Sequence, residues 1–187
     1  MKYEIAVAFR RAMTGRAIMH ISDTPSFGYG GIERLLRDMK PDLLIHTGDM
    51  ADDFKAGRIP EHIPLYREAT ARLLAIMKRH STELWIACGN NDDIPWLRAQ
   101  DALHLLPATG SERSYCGLRL FLQHTPVPFL DRERYDFALY GHGFTDDRHD
   151  PNDNRPGALC YFNGVKLATL IDSATGEFCR LPYLKEE

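Results

Sequence analysis

The sequence contains no apolar run near the roughly 20 residues that a membrane-spanning helix requires. It also has no long basic run, and its 23 lysines and arginines against 26 aspartates and glutamates give a formal net charge of −3. Proteins that bind the nucleic acid backbone usually carry a strongly basic surface. These absences argue against a membrane span and disfavour nucleic acid as a partner.

Paired cysteines and the common nucleotide-binding motifs are absent as well. Neither a P-loop nor a G-x-G-x-x-G sequence occurs. The N-terminal segment has Glu4 within its apolar part and Arg10-Arg11 after it, the reverse of a signal peptide, so we expect a cytoplasmic location. Widely spaced cysteines in that compartment are predicted to be reduced. They are Cys88, Cys116, Cys160 and Cys179.

The length of 187 residues and the apolar content of 44% are typical of one globular domain with a sizeable core. We therefore treat residues 1–187 as a single domain. Residues 1–16 form an extension whose pattern fits a strand or a helix equally well.

Short apolar runs alternate with segments of helical periodicity along most of the chain. Apolar residues at helical spacing predict helices over 30–39 and 64–80. Strands are predicted at 17–22, 42–47, 83–88, 118–124 and 135–140.

Turn residues set the pattern near the C-terminus. Asn163-Gly164 separates two apolar segments and predicts a β-hairpin, and a second turn is predicted at 173–176. Strand–helix alternation followed by an antiparallel hairpin meander indicates a mixed, layered α/β fold.

A polar side chain that can bind a metal ends or follows each of the five predicted strands. Ligands of open α/β sheets gather at the carboxyl ends of the strands, so these side chains are expected to converge. Carboxylate, amide and imidazole groups bind divalent ions such as manganese, iron and zinc. Glycine precedes three of these residues, which lets the backbone turn sharply and leaves room for an ion or a substrate. The five are Asp23, Asp49, Asn90, His124 and His142.

The order of these residues resembles the signature of calcineurin-like metallophosphoesterases, which reads D-x-H, G-D-x-x-D, G-N-H-D, H and G-H-x-H. The resemblance covers about residues 17–172, and the chain is similar in size to the small bacterial and archaeal phosphodiesterases of that family. It implies a four-layer αββα sandwich with a two-metal centre at one edge. The matching segments here are Asp23-Thr24-Pro25, Gly48 to Asp52, Gly89 to Asp92, His124, and Gly141 to Phe144.

The resemblance implies two metal half-sites, of which one is complete in this sequence. In the family, the other half-site uses the aspartate and histidine of D-x-H, the bridging aspartate and the last histidine of G-H-x-H. In this sequence Pro25 replaces the first of these histidines and Phe144 replaces the second. Only Asp23 and Asp49 remain there, which is enough to hold a hard ion weakly. The complete set is Asp49, Asn90, His124 and His142.

Asn91 and Asp92 are the candidate catalytic residues. Asn91 stands where the signature has a histidine. Its amide can donate a hydrogen bond to a phosphate oxygen but, unlike an imidazole, cannot transfer a proton. Asp92 and Asp52 are predicted to orient ligands or loops, with ordinary turn carboxylates as the alternative. In the acidic segment 145–157, His149 or an aspartate is a candidate replacement ligand, although a solvated loop is the plainer interpretation.

The expected function is hydrolysis of a phosphomonoester or phosphodiester, with a phosphate-ester small molecule or a nucleotide as substrate. One or two divalent ions are expected, with manganese first and iron, zinc, nickel or magnesium as alternatives. The substituted half-site predicts low activity. The alternative function is a weakly active or inactive scaffold of the same fold that binds a protein or a phosphate ligand. A nuclease is disfavoured, because 187 residues leave little room for an added DNA-capping region.

Overall fold

The computed structural model describes residues 2–100, 103–107, 109–126, 130–131, 133–143 and 159–183. Its helices are α1 (Lys2–Ala12), α2 (Tyr29–Met39), α3 (Ile63–His80) and α4 (Ile94–Arg98), with short 3-10 turns at Ser26–Gly28 and Pro60–His62. Its strands are β1 (Ala17–Ile21), β2 (Leu43–His46), β3 (Glu83–Ala87), β4 (His104–Leu106), β5 (Ser111–Tyr115), β6 (Leu118–Leu122), β7 (Phe137–Tyr140), β8 (Cys160–Asn163), β9 (Leu167–Asp172) and β10 (Phe178–Pro182). No described helix has both the length and the apolar character that a membrane crossing requires.

The strands form two mixed sheets, which confirms the predicted mixed α/β fold. The first sheet has the order β10-β9-β1-β2-β3-β4, and the second has the order β5-β6-β7-β8. Strands β1 to β4 run parallel to one another, as do β6, β7 and β8, whereas β9, β10 and β5 pair antiparallel. Parallel strands are buried on both faces, which explains why the sequence shows them as continuous apolar runs.

The two sheets pack face to face, and helices cover the other side of the first sheet. Within β2, Leu43 and Ile45 pack in the cluster between the sheets, whereas Leu44 packs in the cluster that includes the helices. This alternation is the two-residue period of a strand. The outer face of the second sheet carries a third cluster, to which no helical residue of the described chain belongs. It consists of Tyr135, Ala138, Tyr140, Leu159 and Tyr161.

The N-terminal extension, which the sequence left undecided, is helix α1. Ala6 is fully buried in the helical layer, and Arg10 Nε donates a 2.6 Å hydrogen bond to the carbonyl of Met39 at the end of α2. Tyr3 adds a 2.5 Å hydrogen bond to Asp38. The extension is therefore packed on the domain through α2 and β10.

The predicted hairpin at Asn163-Gly164 is wrong, because β8 and β9 belong to different sheets. Neither residue has the positive φ that the tight two-residue hairpin turn demands. Gly164 instead donates to the carbonyl of Tyr140 and accepts from Ser22 and Tyr183. These long-range hydrogen bonds fix the segment as a crossing between sheets, while the turn at 173–176 does join the antiparallel pair β9 and β10.

The buried carboxylate of Asp172 holds the start of β1 against the β9–β10 turn. It accepts hydrogen bonds from the backbone N–H groups of Thr14 at 2.8 Å, Gly15 at 2.9 Å and Ala174 at 2.9 Å. Burial alone would raise the pKa of Asp172, but these hydrogen bonds outweigh it and lower the pKa. The ionised carboxylate therefore stabilises the fold.

We expect Asp172→Asn to lower the free energy of unfolding by about 1–3 kcal/mol at pH 7, because charge-assisted hydrogen bonds are lost. A carboxylate whose pKa is lower in the folded state stabilises the fold at pH values above its unfolded pKa. This contribution is lost as the pH falls through its folded pKa. The difference between parent and variant should therefore shrink below about pH 4. Urea unfolding at several pH values measures it, and a difference that stays constant down to about pH 2 would contradict the assignment.

Candidate metal centre

The five side chains proposed as metal ligands all lie at the carboxyl ends of strands. Each follows its strand within three residues, in the order β1, β2, β3, β6 and β7. Three come from the first sheet and two from the second, so the edge where the sheets meet gathers them. They are Asp23, Asp49, Asn90, His124 and His142.

His124 lies at the centre of this group. Its Nε2 is 3.0 Å from Asn90 Oδ1, 3.2 Å from His142 Nδ1 and 3.6 Å from Asp49 Oδ2. One ligand atom each from Asp23, Asp49 and His124 also lie within 4.8 Å of one another. The structure thus gathers Asn90, His142 and Asp49 around one nitrogen of His124, with Asp23 next to this group.

The tautomer of His124 follows from its second nitrogen. Nδ1 is 2.7 Å from the carbonyl oxygen of Thr47, which can only accept, so Nδ1 carries the proton. In the neutral ring Nε2 then presents a lone pair toward Asn90 Oδ1 and Asp49 Oδ2, which are acceptors too. A cation would satisfy these facing acceptors, and a metal-binding histidine usually donates its other N–H to a carbonyl in this way.

The two aspartates are buried, and burial disfavours their charged forms. It raises the pKa of Asp49 to about 7, with a further rise from the neighbouring carboxylate of Asp92. Burial also raises the pKa of Asp23, whose Oδ2 accepts from Ser22 Oγ at 2.6 Å and from the backbone N–H of His142 at 3.0 Å. A bound cation would favour both ionised forms.

The backbone of this site is held in an uncommon conformation. Asp23, Asp49 and His142 have φ values of 49°, 56° and 63°, in the left-handed region. Each such residue costs about 1–2 kcal/mol, which the surrounding structure must offset. Close approach also requires glycine at Gly89, where a Cβ would overlap Asp49 Oδ1.

Asp92 connects the two loops that carry Asp49 and Asn90. Its Oδ2 accepts from the backbone N–H groups of Gly89 at 2.7 Å and Asp49 at 3.0 Å. Its Oδ1 accepts from the backbone N–H of Met50 at 2.9 Å and from Tyr66 Oη at 2.8 Å. Four donors surround the carboxylate, so its geometry suits positioning of the loops.

Asn91 is buried against the proposed bridging carboxylate. Its backbone N–H donates to Asp49 Oδ1 at 2.8 Å, and its Nδ2 donates to Asp49 Oδ2 at 2.7 Å and to Asp52 Oδ1 at 3.3 Å. Its Oδ1 has no hydrogen-bond partner among the described residues. Asn91 therefore orients Asp49 through two of its donors.

Pro25 lies half-buried at the start of a 3-10 turn and offers no ligand atom. Phe144 and segment 145–157, with His149, fall outside the described residues. His46 has a structural role, since it accepts from Gly48 N–H through Nδ1 and donates to Thr24 Oγ1 through Nε2. Burial lowers its pKa to about 3, so the ring is neutral.

Sequence reasoning missed the groups that position the ligands. Ser22 donates to Asp23, and Tyr66 donates to Asp92. Tyr183 Oη lies 2.6 Å from the carbonyl oxygen of Ser22 and 2.7 Å from that of Gly164, so its single proton is shared between them and holds the turn after β1. No local sequence pattern marks Tyr66 and Tyr183, because their partners lie 26 and up to 161 positions away.

The sequence profile described as "Calcineurin-like phosphoesterase" matches residues 16–170. A comparison with curated proteins finds no match. Three similar solved structures have low sequence identity to this chain, so they support the fold alone. Yfce, a phosphoesterase from E. coli, is 16% identical with a TM-score of 0.51 and covers 89% of this chain and 99% of its own. TT1561 of Thermus thermophilus is 9% identical with a TM-score of 0.53 and covers 91% of this chain and 100% of its own. The protein of unknown function AQ665 from Aquifex aeolicus is 17% identical with a TM-score of 0.50 and covers 88% of this chain and 95% of its own.

Proposed function

The chain belongs to the calcineurin-like phosphoesterase family, and we propose that it hydrolyses phosphomonoesters or phosphodiesters with a bound divalent ion. The observation that carries this proposal is the convergence of three ligand-type atoms on His124 Nε2, at 3.0 to 3.6 Å. Phosphate-ester small molecules or nucleotides are the proposed substrates. We further propose that residues 1–187 form one domain and that the protein acts in the cytoplasm.

The proposed principal ion is held by Asp49, Asn90, His124 and His142. Ligand atoms about 2.1 Å from one ion are about 3.0–3.4 Å apart in octahedral or tetrahedral geometry, close to the observed separations. A mixed set of imidazole, amide and carboxylate ligands suits a borderline divalent ion, for which we propose manganese, with iron, zinc, nickel and magnesium as alternatives. When bound, the ion would polarise the phosphoryl group and offset its charge.

The chain's own residues prepare the site before any substrate arrives. The carbonyl of Thr47 fixes the orientation of the His124 ring, so that the lone pair of Nε2 is directed into the site. Asn91 and Asp92 hold Asp49 through its side chain and its backbone N–H respectively. This preorganisation lowers the reorganisation that binding and reaction would otherwise require.

We propose that the second half-site binds a further ion weakly. Asp23 and Asp49 offer only carboxylate oxygens there, and Pro25 contributes none. One oxygen of Asp23 is already engaged by Ser22 and His142. Turnover is therefore expected to be slow and to rise with manganese concentration into the range where the second ion binds.

A scaffold is the second candidate, and the substitution at Pro25 favours it. Metal content per chain, measured before and after dialysis against manganese, separates the two functions. One or two ions support the hydrolase, while a protein without metal that co-purifies with a stoichiometric partner supports the scaffold.

The hydrolase is tested with an aryl phosphate ester and added manganese, comparing the parent with Asp49→Asn. We expect the variant to lose at least about 90% of the activity, because the amide keeps the shape but removes the charge shared by both half-sites. The matched control is Asp38→Asn, which alters an exposed aspartate on α2 and should retain full activity. Equal activity in parent and Asp49→Asn would refute the proposal.

A further inference from the structure

Lys55 lies near the half-site that lacks imidazole ligands. Its ammonium group contacts Asp52 Oδ1, and the same oxygen accepts Asn91 Nδ2 at 3.3 Å. That nitrogen also donates to Asp49 Oδ2 at 2.7 Å. A continuous chain of contacts therefore connects a positive charge to the proposed bridging carboxylate.

The loop that carries Lys55 packs on the segment that contains Pro25. The backbone N–H of Asp52 donates to the carbonyl of Thr24 at 3.4 Å, and Ser26 donates to the carboxylate of Asp53 through its backbone and its hydroxyl. Asp52 also contributes to the raised pKa of Asp23, although burial is the larger cause. The lysine thus lies on the side of the site where Asp23 and Pro25 are found.

The backbone around Lys55 is fixed, whereas its side chain reaches solvent. Its φ is 48°, in the left-handed region, and its carbonyl accepts the N–H groups of Arg58 at 2.9 Å and Ile59 at 3.0 Å. Gly57 N–H donates to the carbonyl of Asn91 at 3.1 Å, which holds the loop against the site. The Lys55 side chain is 40% exposed, so its ammonium group is accessible to an anion in solvent.

An ion pair of this exposure is weak, typically about 0–1 kcal/mol, so an incoming dianion can compete with Asp52 for the ammonium group. We propose that Lys55 is a substrate-binding residue that binds a phosphate oxygen on the side of the second half-site. There the ammonium group offsets part of the negative charge of the phosphate, which a weakly bound second ion neutralises only in part. The substrate class in this inference rests on the proposed phosphoester hydrolase.

The test measures binding of inorganic phosphate to manganese-treated protein by calorimetry at low ionic strength. We expect Lys55→Met to weaken phosphate binding by about tenfold or more, because a charge-assisted hydrogen bond is removed, and Lys55→Arg to stay within about threefold of the parent. The KM for an aryl phosphate should rise by a similar factor in Lys55→Met.

The matched control is Lys40→Met. Lys40 is also exposed, and its backbone also has a left-handed conformation with a φ of 44°. It precedes β2, however, and so lies at the opposite end of that strand from Asp49. Its replacement should leave phosphate affinity unchanged. Equal phosphate affinity in Lys55→Met and Lys40→Met would overturn the proposal.

Manganese content and thermal unfolding of the same samples separate the possible failures. Lys55→Met should keep the metal content and unfolding midpoint of the parent, and a loss of manganese together with phosphate affinity would overturn a direct role in substrate binding. If the parent binds phosphate in a Lys55-dependent way but holds no manganese, the inference stands and the proposed metal chemistry fails.

Discussion

If the proposed function holds, replacing His124 by alanine is expected to remove the proposed principal ion and to lower phosphoester hydrolysis at least about a hundredfold. Nε2 of this residue is the atom on which Asn90, His142 and Asp49 converge. Alanine leaves the remaining groups without a common partner. Elemental analysis after dialysis and the rate of aryl phosphate hydrolysis measure the two effects.

The matched control for this prediction is His104→Ala, which removes an exposed imidazole from β4. It should keep both the metal and the activity. His124→Ala protein that is folded by circular dichroism and still retains manganese would show that the ion is held elsewhere.

Replacing Asp92 by alanine is expected to produce the largest loss of stability, about 3–5 kcal/mol. The change leaves the backbone N–H groups of Gly89, Asp49 and Met50 and the hydroxyl of Tyr66 without their acceptor. Each buried donor that loses its partner costs about 1–3 kcal/mol, and water entering the cavity offsets part of this. Urea unfolding measures the difference in the free energy of unfolding.

Asp93 provides the comparison for Asp92, because it is the adjacent carboxylate in the same loop. It caps α4 by accepting from Trp96 and pairs with Arg67 near the surface. Asp93→Ala should therefore cost only about 1 kcal/mol. The interpretation of Asp92 as the residue that joins the two ligand loops fails if the two alanine variants unfold at the same urea concentration.

The sequence was sufficient to predict where the candidate site would form. Buried parallel strands appear as continuous apolar runs, so the first polar residue beyond each run marks a strand end. Asp23, Asp49 and Asn90 could be assigned to one edge for this reason, and His124 and His142 joined them by the same pattern. That the second pair comes from a different sheet was not predictable from local periodicity.

Long-range hydrogen bonds explain why the hairpin predicted at residues 163–164 does not form. Asn163-Gly164 has the composition of a hairpin turn, yet contacts with Tyr140, Ser22 and Tyr183 override that local preference. Strands β4 and β5 were not predicted either, and β5 is largely exposed, so its residues do not form an apolar run.

The origin of the proposed ligands in both sheets has a thermodynamic consequence. Asp49 and Asn90 follow strands of the first sheet, while His124 and His142 follow strands of the second. An ion shared among them would act as a crosslink whose strength depends on its concentration, because a ligand of the native state alone stabilises it by about 2.7 kcal/mol at a hundred times its Kd. The free energy that holds the two sheets together would then depend on the concentration of free cation around the protein.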